Sequence, residues 1–255
     1  MKTIILSLAF ISLVVPQKTA VQKNPQVLFD FRVGDNTESR EISEATERMV
    51  LSKVFRKYLT DANRCKSQLD TSDATDYLAA ARKVGQIVPT IADSETGSFT
   101  APGQVQTLYL IDVSECNASH ADNFGTKRVV IFSGQQLVAD VDADFAKAII
   151  RKTDLDSDGV NELLMTTADM AQGTLIEMGT MVSFQNGKRN LIQDFGTVVE
   201  DSCASGFPGS TSNASVLYIS DVVPGTMPKL GQENYRSSCG KTKRWRLVSR
   251  GKKEN

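Results

Sequence analysis

Asp154, Asp156 and Asp158 stand at alternate positions in the segment Asp154-Leu155-Asp156-Ser157-Asp158-Gly159-Val160-Asn161-Glu162. Carboxylates at this spacing give oxygen ligands to a hard cation, and a glycine at the sixth position lets the chain turn sharply enough for the acids to converge. The backbone carbonyl of Val160 can serve at the seventh position, and Glu162 brings another acid at the ninth. Without a cation the same side chains repel one another in a small volume. The chemistry written into this loop is that of a Ca²⁺ site.

The flanks decide which kind of calcium loop it is. A helix–loop–helix motif needs a bidentate Glu at the twelfth position, where this chain has Met165. Ala148-Ile149-Ile150 before the loop and Leu163-Leu164-Met165 after it are short apolar runs, which read as strands and not as amphipathic helices. The segment 153–164 resembles the calcium loops of FG-GAP/VCBS repeats, the blades of integrin-α-like propellers, and the resemblance spans residues 145–196. It implies a loop joining two strands, with Asp154, Asp156, Asp158 and Glu162 as side-chain ligands and Val160 giving its carbonyl. A closed ring needs the motif to recur at a fixed period. Asp140-Val141-Asp142-Ala143-Asp144 alternates acids in the same way, but Phe145 replaces the glycine and no acid stands at the ninth position. The expectation is a single blade-like unit and not a full propeller.

Other groups that could do chemistry are few. Cys65, Cys116, Cys203 and Cys239 are four in number, which in an oxidising compartment implies two disulfides and leaves three possible pairings. Order along the chain favours Cys65–Cys116 with Cys203–Cys239, each closing its own region. Cys116 and His120 have the spacing of one zinc-ligand pair, but His120 is the only histidine and a second pair is missing. The polar loop 114–124 holds Ser119, His120 and Asp122, the residue types of a hydrolytic triad. Three near neighbours in one loop rarely converge into such a triad. No Gly-rich phosphate loop, Gly-x-Ser-x-Gly elbow or His-Glu-x-x-His motif occurs.

The ends of the chain speak to location and partners. Met1-Lys2, the apolar run 4–15 and the polar stretch 16–20 have the pattern of a secretory signal peptide over residues 1–20. That run is too short to span a bilayer, so no membrane span is expected after cleavage and the location is extracytoplasmic, periplasmic or secreted. The formal net charge of −1 implies no strong polyelectrolyte partner. The tail 241–253 is basic with Trp245 as its one aromatic, which reads as a solvated last strand and not as a nucleic-acid site.

The elements that must position the loop follow from periodicity. Residues 21–40 read as an extended lead-in with one apolar knot at 27–29. Ile42, Ala45, Met49, Val50, Val54, Phe55 and Tyr58 recur at helical spacing over 41–60. A second helix is expected over 73–87, ended by Pro89. Residues 93–105 read as a loop and a boundary. Short strands are expected at 108–113, 129–132, 137–141, 148–150, 163–166, 174–184, 191–195, 198–199, 216–220 and 245–248, with Asn186-Gly187 as a hairpin turn. The stretch 203–215 reads as a surface loop tied down by Cys203. The expected fold class is α+β, a helical segment at 41–92 followed by a mostly antiparallel β region at 104–250. The expected role is an exported, non-catalytic binding or structural protein stabilised by one Ca²⁺ and by disulfides, with an unknown protein or glycan ligand. A secreted hydrolase using the 114–124 loop is the alternative.

Overall fold

A computed structural model describes residues 24–34, 42–55, 87–115, 126–240 and 242–250. The described residues are mostly β, with one α-helix, which corrects the α+β expectation. The elements are β1 Gln26–Asp30, α1 Glu44–Val54, β2 Ile87–Gly97, β3 Gln106–Glu115, β4 Thr126–Ser133, β5 Gln136–Asp142, β6 Ala148–Thr153, β7 Glu162–Ala171, β8 Thr174–Ser183, β9 Asn190–Asp201, β10 Thr211–Ser220, β11 Lys229–Ser238 and β12 Arg246–Arg250. Short 3-10 turns lie at Phe31–Val33, Gln185–Gly187 and Cys203–Ser205.

The helix forms where the periodicity placed it. Ser43 caps it by accepting the Thr46 N–H at 3.2 Å, and Glu44 and Glu47 lie in its first turn, at the positive end of the dipole. Val50, Leu51 and Phe55 are buried against Tyr109, Ile111, Val113, Val130 and Phe132, one face of the smaller sheet. Burying a Leu or Phe side chain contributes roughly 1.5–3 kcal/mol, so packing and not helix propensity holds this element.

The expectation of helix through residue 92 fails from Ile87 onward. Ile87–Gly97 is β2, paired with β3 along its whole length from Ile87↔Glu115 to Gly97↔Gln106, and Pro89 sits inside it. Pro89 is tolerated because β2 is an edge strand of its sheet. The strand escaped the hydrophobic pattern because its outward acids are tied to a neighbour instead of facing water. Asp93 accepts the Ile149 N–H at 2.9 Å, and Glu95 pairs with Lys152 at 3.0 Å. Residues 98–105, expected as part of a boundary, form the turn of the β2–β3 hairpin. The expected second helix over residues 73–86 lies outside the described residues, as do the signal segment 1–20 and most of 21–40 that was not the 27–29 knot. That knot is strand β1.

Two antiparallel sheets result. The smaller has the order β2-β3-β4-β5. The larger runs β12-β11-β10-β9-β8-β7-β6, with β1 added beside β10, and curls into a half-barrel. Three register shifts between β8 and β9 supply that curl, because each bulge bends its strand and increases the local twist. The edge of β10 is shared between two partners: residues 212–214 pair with β9, and residues 216–219 pair with β1. The 203–215 stretch is therefore only in part a loop, since Thr211 already belongs to β10.

The core has three parts. Leu108, Leu110, Val129 and Ile131 of the small sheet pack on Ile149, Leu163, Met165 and Val182 of the large one. The opposite face of β7 and β8 contributes Leu164 and Met181 to a second cluster with Leu28, Phe31, Leu155, Val198 and Leu217, inside the curl. The third cluster lies under α1. A disulfide joins Cys203 to Cys239, with Cα atoms 5.5 Å apart across 36 residues. No described helix is long and apolar enough to cross a membrane.

Candidate metal site

The acidic loop closes the β6–β7 hairpin, whose last ladder pair is Thr153↔Glu162. Its two apolar residues point inward: Leu155 is 2% exposed and Val160 is 1% exposed. With those side chains buried at positions two and seven, the acids between them are held on the outer side of the turn. Ser157 and Gly159 adopt left-handed backbone, φ +62° and +85°, which glycine takes without cost. Asp154 winds the turn around itself, its Oδ1 accepting the Asp158 N–H at 3.1 Å and its Oδ2 the Gly159 N–H at 3.0 Å. Asp156 Oδ1 accepts the same Asp158 N–H at 3.2 Å.

These contacts bring Asp154, Asp156 and Glu162 together, with one carboxylate oxygen from each within 4.8 Å of the others. At an effective dielectric constant of about 20, a pair of charges at that distance repels by roughly 3 kcal/mol. Glu162 bears the consequence. It is 3% exposed, and its Oε2 accepts the Leu155 N–H at 2.7 Å. Burial pushes its pKa up to about 7; the Leu155 N–H lowers it, and the charges of Asp156, Asp158 and Asp154 raise it further. A buried carboxyl facing other carboxylates is stable only if it takes up a proton or shares a cation with them. The donor set is all oxygen, which suits a hard cation such as Ca²⁺ and not a zinc-type site. Asp154, Asp156 and Glu162 are the residues that could hold it.

Asp158 is placed differently from the other acids. Its Oδ1 accepts the Val160 N–H at 2.7 Å and its Oδ2 accepts the side-chain amide of Gln185 at 3.0 Å. It contributes charge to the site while being held by the 3-10 turn Gln185–Gly187, the position of the expected Asn186-Gly187 hairpin turn.

Residues outside the acidic set anchor the loop to three other segments, and sequence spacing could not reveal them. Asn161 donates its N–H to the Ser98 carbonyl at 2.6 Å and accepts the Ser98 N–H at 2.9 Å. The Gly225 N–H donates to the Asp156 carbonyl at 2.5 Å. A Cβ on Gly159 would meet Pro102 at 3.1 Å, so the turn also packs closely on the β2–β3 hairpin. The signal for Asn161 was its place inside the motif; Ser98, Gln185 and Gly225 carried none.

Of the remaining candidates, Cys203 pairs with Cys239, and Cys65 and Cys116 lie outside the described residues. So do Ser119, His120 and Asp122, together with the rest of 116–125 in the loop considered for hydrolysis. No protein-family model matches the chain, and no curated protein or solved structure matches it either.

Proposed function

We propose that this chain is an exported, non-catalytic binding or structural protein whose two sheets are held in register by one Ca²⁺ bound at Asp154, Asp156 and Glu162, with the Val160 carbonyl and Asp158 completing the shell. The reading is carried by Glu162, a buried carboxyl facing two more carboxylates. A cation neutralises that arrangement better than a proton does, because it satisfies several oxygens at once. The Cys203–Cys239 bond supports an oxidising location, in keeping with the signal-like first 20 residues. Calcium acts here on stability, by neutralising the carboxylates that the turn brings together.

Thermal unfolding of the oxidised protein with Ca²⁺ and with chelator tests this. Extracellular calcium modules bind at about 10⁻⁴–10⁻³ M, so millimolar Ca²⁺ adds about 1 kcal/mol. For a chain of this size that raises the melting temperature by about 2–4 °C. The gain should vanish in Asp156→Ala. Equal melting temperatures in Ca²⁺ and chelator for the parent protein would sink the reading.

A further inference from the structure

One row of side chains crosses four strands of the larger sheet on the side away from the acidic loop's hairpin. Glu200 of β9 pairs with Asn213 of β10, Asn213 with Arg236 of β11, and Arg236 with Arg246 of β12, each directly opposite the next. Directly opposed residues share a face of the sheet. The Asn213 amide donates to Glu200 at 3.1 Å and accepts from Arg236 Nε at 2.8 Å, so its orientation is fixed from both sides. Arg236 thereby keeps its terminal nitrogens for another partner. Among the described residues the Arg246 side chain has no hydrogen bond or ion pair, and neither arginine is in a salt bridge. The nearby cations differ: Arg250 pairs with Glu233 and Lys243 with Asp201.

Two guanidinium groups opposite each other repel. An oxyanion set between them would convert that repulsion into paired, fork-like hydrogen bonds. Beside Arg236 opens a cavity of about 210 Å³, lined among others by Asn213, Ser215, Asn234 and Val248. Ser215 and Asn234 of its wall belong to a connected polar network that continues behind them. Ser215 donates to Asn234 at 2.8 Å, Gln232 donates to both, and Asn234 donates to Ser249 at 3.0 Å. Val248 is the extra residue at the β11–β12 bulge, and its apolar side chain is exposed.

We infer that this surface binds an acidic saccharide, its sulfate or carboxylate between Arg236 and Arg246 and its ring hydroxyls toward the amide and hydroxyl network. The inference names a ligand class for the binding role above and to that extent rests on it. Fixed amides, hydroxyls and a carboxylate are suited to sugar hydroxyls. Glu200 in the same row opposes a phosphate polymer, and the aromatic that lines the cavity, Tyr235, already carries the Arg32 guanidinium over its ring at 4.3 Å, where a base would stack.

Titration calorimetry of the full oxidised chain in Ca²⁺ tests it, with a sulfated disaccharide, its unsulfated parent and a charge-matched single-stranded oligonucleotide as probes. The sulfated sugar should bind saturably, about tenfold more weakly in Arg246→Gln and Arg236→Gln, and unchanged in Lys229→Gln. Arg246→Gln is decisive because the Arg246 side chain makes no bond among the described residues, so its loss removes no contact that holds the sheet. Equal affinity for the unsulfated sugar, tighter binding of the oligonucleotide, no binding in the parent protein, or an unaffected Arg246→Gln would each overturn the inference. A melting temperature indifferent to Ca²⁺ would instead remove the calcium reading, whatever the sugar does.

Discussion

Asn161 holds Ser98 from both sides, giving its backbone N–H to the Ser98 carbonyl and receiving the Ser98 N–H on its own side-chain oxygen. This pair joins the acidic loop of the large sheet to the β2–β3 turn of the small one. Asn161→Ala leaves the Ser98 N–H without its acceptor, which costs about 1–3 kcal/mol when the group stays buried. Chemical denaturation should show that loss. The calcium-induced rise in melting temperature should also shrink, because the loop loses one of its anchors.

Gly97 makes room for that same contact. A Cβ at this position would lie 2.5 Å from Asn161 Oδ1 and 3.0 Å from the Lys152 side chain. Gly97→Ala must push Asn161 aside, and overpacking of this kind typically costs about 1–3 kcal/mol. Its loss measured together with Asn161→Ala should be less than additive, since both act through one contact.

Glu162 predicts an unusual pH dependence for the protein in chelator. Its pKa is raised in the folded protein to about 7 from the ordinary 4.5. Between those values the folded state keeps a proton that the unfolded chain has released, so the carboxyl favours folding most at the acid end. Stability should fall as pH rises from about 4.5 through about 7, by up to about 3 kcal/mol from this group. Denaturant titrations across that range would read the slope, and Glu162→Gln should flatten it. Excess Ca²⁺ should reverse the trend above pH 6 or so, because the cation competes with the proton for the same oxygens.

Reduction should destabilise the C-terminal half. The Cys203–Cys239 bond closes 36 residues of sequence, for which the chain-entropy model gives about 4 kcal/mol. A Cys203→Ser, Cys239→Ser variant should melt lower by an amount comparable to that of the reduced protein. A much larger effect of reductant on the parent would point to Cys65 and Cys116 as a second bond.

The legible parts of this fold are those whose physics is local. The acidic loop is readable because its acids lie within nine residues, and α1 because its buried Val50 and Leu51 and the Phe55 at its C-cap recur at helical spacing. Strands such as β4 and β7 announced themselves as apolar runs. β2 and β11 did not. Asp93 and Glu95 are satisfied by Ile149 and Lys152 of another sheet, and Gln232 and Asn234 by each other and Ser215. Polar residues whose partners lie far along the chain look the same in sequence as polar residues facing water. The α+β expectation comes from that gap, since in sequence a strand with paired acids reads as the end of a helix and the start of a loop. The placement of Asp158 against Gln185 was hidden for the same reason.

The shared edge of β10 bears on the order in which the chain can fold. β1 begins at Gln26, and its partner there is Ile219. β1 therefore has no place to dock until β10, about 190 residues later, has been made, and so distant a pairing is entropically late. During synthesis the Val27-Leu28-Phe29 segment has no β10 to pair with while β2 to β9 assemble from neighbours. Adding β1 to the larger sheet becomes a late act of folding, one that waits for β10.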